Sequence, residues 1–448
     1  MKLSDIFSDR MVLQRNKEIR VFGEGEGEGW VDFCGKHTPF SCEDGHFLAT
    51  LPAEEAGGPY TLTVSLGGEC ITLSDVMVGD VYIAAGQSNM ELPVWETVDI
   101  FPIDCEGVRL YERRPTEIGF VRGRHECGGD VWEYCTADTA RNFSAIGLAF
   151  GRNLHASTGV PVGILMCAIG ASRIDAWTPA EIVNTPTYRE WVPSDYQTYG
   201  NYLFNEPGWC FANKLLPLCP FSVAGVLWYQ GEANTKPPAC YHYDKLLSEM
   251  IGAWRGALAD DALPFYIVQL APHTSTVGGA NWAAVRAGQE RASRTLPHVK
   301  MVTMPETGES RLIHPARKAA VAGALVNAAL TDLSGKAHEY SGPIAERFEP
   351  IEHGLRVTFS HAAGLHIVGK YMTDTFAFDE RGVPASVFAA IEENVLTLSW
   401  RQDMHAVRVS MGEQNDAHHN LYNASGYLAS PFSFSLGEIT GKNDSPQF

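Results

Sequence analysis

The sequence predicts an α/β protein: a mostly parallel, three-layer sheet covered by helices on both faces, with all-β regions before and after it. Two observations carry this. Between residues 78 and 335, apolar strand-like runs alternate with helix-period segments, the signature of a parallel sheet. On either side of that stretch the helical period is absent, and short runs of β-branched and aromatic residues separated by turn residues take over.

In chain order, residues 1–79 read as β structure, with strands over 11–14, 19–22, 30–33 and 60–64, a spacing that suits a sandwich or jelly roll. The Gly-Glu run at 23–29 is expected to be an exposed loop. The central region, 80–335, has strand-like runs at 78–85, 162–167, 223–229, 264–270 and 299–304. Between them lie helix-period segments near 145–156, 243–254, 282–294 and 316–330. Residues 336–448 alternate again, at 355–359, 396–400 and 406–410, as a C-terminal β region that can pack beside 1–79.

Composition narrows the function. A chain of 448 residues with 45% apolar and 10% aromatic residues has ample material for burial and for two to four domains. The balance of 34 basic against 53 acidic residues, formally −19, argues against nucleic acid, whose binding depends on neutralising phosphates. No apolar run reaches the roughly 20 residues needed to span a bilayer, so no membrane partner is expected. No leader peptide is visible, so the sequence as it stands reads as cytoplasmic, or as secreted or periplasmic if a leader was removed. The ten cysteines form no Cys-x-x-Cys pair, and reduced thiols are expected.

The stretch with chemical potential is Gly86-Gln87-Ser88-Asn89-Met90, which sets a serine in a tight turn just after the first central strand. In this architecture ligands sit at the carboxyl ends of the strands. A serine hydroxyl is a weak nucleophile, so it needs a base in reach and donors for the oxyanion that forms on attack. Gly170 follows the second central strand and could point its N–H into such a site. The third strand runs into Gln230, Glu232 and Asn234, which can donate or orient. His314-Pro315 follows the fifth strand; Pro at a first helical position would put His314 at a helix N-cap, where the dipole favours neutral imidazole.

These residues fall in blocks that resemble a known family. Gly86-Gln87-Ser88-Asn89-Met90 and Trp228-Tyr229-Gln230-Gly231-Glu232 carry most of the resemblance. Asp9-Arg10-Met11-Val12-Leu13-Gln14-Arg15, Ile174-Asp175-Ala176-Trp177-Thr178 and Asn420-Leu421-Tyr422-Asn423 support it. Over nearly its whole length the chain resembles the sialate O-acetylesterases, bacterial carbohydrate esterases of the SGNH hydrolase superfamily. The resemblance implies a flavodoxin-like SGNH sheet and removal of acetyl groups from sugars, typically sialic acid, through an acetyl-serine. It implies Ser88 as nucleophile, His314 as base, and an oxyanion hole from the Ser88 and Gly170 N–H groups and Gln230, with Asn234 the lesser candidate. It implies no metal and no organic cofactor.

One position departs from the family pattern. Members usually carry Asp two or three residues before the histidine, where this chain has Leu312 and Arg311. The ring must then be oriented by another acceptor: the Leu312 carbonyl, Glu309 or Glu306. Gln87, Asn89, Arg173, Trp177, Tyr229 and the loop residue Trp95 are candidates for the sugar site, with Arg173 suited to a sialate carboxylate. Other readings are a deacetylase of neutral glycans such as acetyl-xylan, and a carbohydrate-binding protein whose esterase centre has decayed.

Overall fold

The computed structural model describes residues 1–99, 102–113, 130–197, 200, 202–275, 277–303 and 309–437. Its central strands are β1 (Glu69–Gly86), β2 (Cys105–Glu112), β3 (Trp132–Cys135), β4 (Val162–Ala168), β5 (Gly225–Tyr229), β6 (Phe265–Val268) and β7 (Val299–Val302). They lie in the order β3-β2-β4-β1-β5-β6-β7. All neighbours are parallel except β3, which runs antiparallel to β2 at the edge. The sheet is therefore mixed, not purely parallel; the β2–β3 edge escaped the sequence reading because Glu106 and Arg109 interrupt its apolar pattern.

Every residue of β4, β5 and β6 is buried, as expected of strands covered on both faces. The covering helices are α2 (Ala145–Thr158), α3 (Tyr243–Ala257), α4 (Trp282–Thr295) and α5 (Ala319–Ser334), with α2 packed on α5 and α3 on α4. A single turn, α1 (Ser88–Glu91), follows β1 directly.

β1 is the spine of the molecule. Its first half alternates between exposed and buried residues and pairs antiparallel with Gly57–Leu66. From Val78 onward it is continuously buried between β4 and β5. Val12–Gln14 pairs with it at the change-over, Leu13 opposite Val78. Four N-terminal strands thus belong to the same eleven-stranded sheet as the centre. The boundary expected between residues 79 and 80 falls inside this strand, which runs through Asp75 at φ 54° without ending. The Gly-Glu run is also shorter as a loop than expected: Gly23 and Glu24 pair with Leu3 and Lys2, and strand structure resumes at Glu28.

The C-terminal region forms two four-stranded sheets and a two-stranded ribbon around its own core of Leu355, Val357, Leu396, Leu398, Val409 and Met411. It docks on the central region through polar contacts, such as Gln269 Nε2 to Ser430 Oγ at 2.8 Å and Arg294 to the Ala345 carbonyl at 2.6 Å, and through Tyr340 and Tyr427 packed against the central core. The nine cysteines among the described residues are unpaired thiols. Among the described residues no helix is long and apolar enough to cross a membrane.

Candidate active site

The register of β1 with its two neighbours brings three loops to one level. Gly86, the last residue of β1, lies opposite Ala168 of β4 and Tyr229 of β5. Gly86 has φ 130°, and a Cβ there would sit 2.1 Å from the Tyr229 carbonyl oxygen, so only glycine fits. The chain turns at once: the Gln87 N–H donates to Tyr229 O at 3.0 Å and Ser88 opens α1, half-buried. From the far side, His314 brings its Nε2 to 2.8 Å from Ser88 Oγ.

His314 is not a helix N-cap, contrary to the pattern reading. Residues 315–318 form an irregular turn and α5 begins only at Ala319. Its first amides are satisfied by Asp99, whose carboxylate accepts from the Lys318 and Ala319 N–H groups. The helix dipole therefore does not act on the imidazole from the neighbouring residue.

Beneath the serine lies a buried polar layer. Gln87 Oε1 accepts from Gln230 Nε2 at 3.2 Å and from the Ala233 N–H at 3.2 Å. Gln230 is wholly buried: its amide hydrogens face Asn234 Oδ1 at 2.8 Å, Ser172 O at 3.1 Å and Gln87 Oε1, and its oxygen accepts from the Tyr243 hydroxyl at 2.5 Å. Asn234 accepts through Oδ1 from Gln230 and from the Ile174 N–H, which leaves Nδ2 as a buried donor without a protein acceptor. Across the turn, the Gly170 N–H donates to Glu91 Oε2 at 2.8 Å. A Cβ on Gly170 would lie 3.5 Å from Ser88 Cβ, which puts this residue beside the serine.

A charged cluster adjoins this layer. Asn89 Nδ2 donates to Glu232 Oε1 at 2.5 Å and to Ile313 O at 2.9 Å, while Asn89 Oδ1 accepts from Lys318 Nζ at 2.6 Å. Burial raises the Glu232 pKa above the usual carboxylate range. Burial likewise pushes Lys318 down to about 7, against the opposing pull of Glu232 and Asp99.

A serine and an imidazole in hydrogen-bond contact at the carboxyl end of a parallel sheet, with backbone and amide donors nearby, can perform acyl transfer. The profile of the family described as carbohydrate esterase, sialic acid-specific acetylesterase matches residues 78–325. The chain belongs to that family. It is 23% identical to the sialate O-acetylesterase of Homo sapiens over 359 residues, covering 73% of this chain and 68% of that protein. With the Mus musculus sialate O-acetylesterase it shares 25% identity over 276 residues, half of that protein's length. A crystal structure of a carbohydrate acetylesterase from Xanthomonas citri superposes with a TM-score of 0.84 at 28% identity, covering 97% of this chain and 99% of that one.

Within this carbohydrate esterase, several residues expected at a sugar site are buried. Gln87, Asn89, Trp177 and Tyr229 are buried and face the protein, because the loops behind β4 and β5 fold inward over the sheet. Trp177 packs edge-on against Trp228 and donates through Nε1 to Ser172 Oγ at 2.9 Å. Arg173 is engaged by the buried Asp175 carboxylate, 2.9 Å from Nη2, and by the Tyr196 and Asn205 carbonyls, so it is no open cation for a sialate. Trp95 is half-exposed, just beyond α1. Leu312 is turned outward and its N–H closes a turn on Glu309 O at 2.8 Å. Glu309 is exposed, and Glu306 lies outside the described residues. Glu91 and Lys318 were not singled out from the sequence; the polar run after β5 pointed only to the Glu232 side of their cluster.

Proposed function

We propose that this chain is a carbohydrate O-acetylesterase that works through an acetyl-enzyme on Ser88, at the switch point of an SGNH-type sheet. The observation that carries the reading is the 2.8 Å contact between Ser88 Oγ and His314 Nε2, made by residues distant in sequence. Ser88 Oγ attacks the acetyl carbonyl carbon while Nε2 takes the hydroxyl proton. The oxyanion is met by the Ser88 and Gly170 N–H groups, with Glu91 giving up its bond to Gly170 as the carbonyl oxygen arrives. For the third donor, Asn234 Nδ2 suits the role better than Gln230, whose hydrogens are already directed at protein acceptors. Collapse of the intermediate breaks the carbonyl carbon–sugar oxygen bond, and imidazolium returns its proton to that oxygen. Water, deprotonated by His314, then attacks the acetyl-serine and releases acetate.

In soluble, folded protein, Ser88→Ala and His314→Ala should each lower p-nitrophenyl acetate turnover by at least about a hundredfold; losses below tenfold would remove the assignment. Glu309→Gln should leave turnover close to the parent, because that carboxylate faces solvent. A loss approaching that of His314→Ala would make Glu309 the third member of a triad, and Glu306→Gln asks the same of Glu306.

The family description favours O-acetylated sialic acid as substrate. A neutral acetylated glycan is the second reading, supported by the engagement of Arg173 with Asp175. Acetate release from O-acetylated sialic acid, set against release from acetyl-xylan, separates the two.

A further inference from the structure

The reaction as written makes no use of Lys318, yet this ammonium is wholly buried beside the nucleophile turn. Its Nζ donates to Asn89 Oδ1 at 2.6 Å and lies 5.6 Å from the centre of the Tyr229 ring. Asn89 directly follows Ser88, and its Nδ2 donates to the carbonyl of Ile313, which directly precedes His314. The base is therefore gripped from both sides in sequence: by Ile313 before it and by Lys318 after it, both on the same amide. Glu232, from the loop after β5, completes the cluster through the second Asn89 hydrogen.

A buried ammonium carries a large desolvation penalty, offset only by close partners. Nothing in the start of α5 calls for lysine at this position, because Asp99 already caps the helix through backbone amides. We infer that Lys318 is a positioning residue for acyl transfer: through Asn89 it holds the Ile313-His314 segment against the nucleophile turn and keeps Nε2 in reach of Ser88 Oγ. The inference rests on the Ser88–His314 reading above.

The charged and titratable groups facing Lys318 are Glu232 from the loop after β5, Asp99 from the segment beyond α1, and Tyr229 from β5. With its pKa brought down to about 7 by burial, Lys318 loses its proton as pH rises through neutrality. The grip on Asn89 then weakens. kcat should accordingly decline on the alkaline side.

The test is the pH dependence of kcat and KM for p-nitrophenyl acetate in the parent, K318R and K318M, together with the rate at which an organophosphonate labels Ser88. K318M should lower kcat by about tenfold to a hundredfold, the scale of a small misplacement of reacting groups. KM should be unchanged and phosphonylation should slow in parallel. K318R should restore part of kcat and carry the alkaline decline to higher pH. Parent-like kcat in folded K318M, or an alkaline decline in K318R superimposable on the parent's, would overturn the inference. If K318M does not fold, the K318R profile decides alone. The S88A variant is the control: should it still turn over substrate or take up the phosphonate, the Ser88 reading itself has failed, not the role of Lys318.

Discussion

The two terminal β regions look alike in sequence and are joined to the centre in opposite ways. The N-terminal one shares a strand, a sheet and a continuous apolar core with the α/β region, down to the pairing of Leu13 with Val78. The C-terminal one has its own core and meets the centre across a seam of polar contacts from Arg286, Arg294, Gln269 and Ser430, with Tyr340 and Tyr427 packed on the central core. Alternation of apolar residues specifies a sheet, but whether that sheet is fused or docked depends on what its edges and ends meet.

The sharpest way to break this contrast is in the fused region. Leu13 is 1% exposed, and Leu13→Ala should lower stability by about 2–5 kcal/mol. Esterase activity should be lost in the same thermal transition, because the strand that presents Ser88 unfolds with the N-terminal sheet. Calorimetry and residual activity on one heated series would show it; survival of activity past an N-terminal transition would mean the regions are separable.

At the docked region the expected effect is smaller and more local. The Arg286 guanidinium is buried and donates to the carbonyls of Gly412, Gln414 and Asn415. Arg286→Ala leaves these acceptors unsatisfied, at about 1–3 kcal/mol. Amide exchange should quicken across residues 408–419 while Ser88 phosphonylation proceeds as in the parent. Unchanged exchange there would show that the seam is not what holds the region.

The mildest effect is one of pH. Glu290 is buried at the same seam, bonded to Ser430 Oγ, and burial raises its pKa to about 7. Its ordinary value is 4.5, so between these pH values the folded form binds the proton more tightly than the unfolded chain. The Glu290 contribution to stability therefore declines as pH rises from 4.5 towards 7 and stays at its low level above that. Glu290→Gln should raise the melting temperature by a few degrees at alkaline pH and leave it unaltered at low pH. An equal shift at both would point to packing instead of ionisation.

What was legible in the sequence was chemistry with local packaging. Ser88 in its glycine turn, Gly170 and the polar run from Gln230 stand directly behind apolar runs, and those runs are strands β1, β4 and β5. What was not legible was facing. A polar side chain after a strand can turn to solvent or to the sheet beneath, and Gln87, Asn89 and Gln230 turn inward because each finds partners from another loop. The N-cap reading of His314 failed for a related reason: the group that caps α5 is Asp99, hundreds of residues away, and no local pattern reports it. Lys318 was passed over because a lysine at the head of an Ala-rich helix normally reads as a solvated charge.

The long β1 strand has a practical corollary. The family match begins at residue 78, midway along it, so a fragment cut at that limit would start inside the hydrogen-bonded ladder that supports the serine. Such a fragment would expose the bare flank of β1 that Val12–Gln14 covers. Recombinant truncations should begin upstream of Leu3 to preserve the hydrolase as a folding unit.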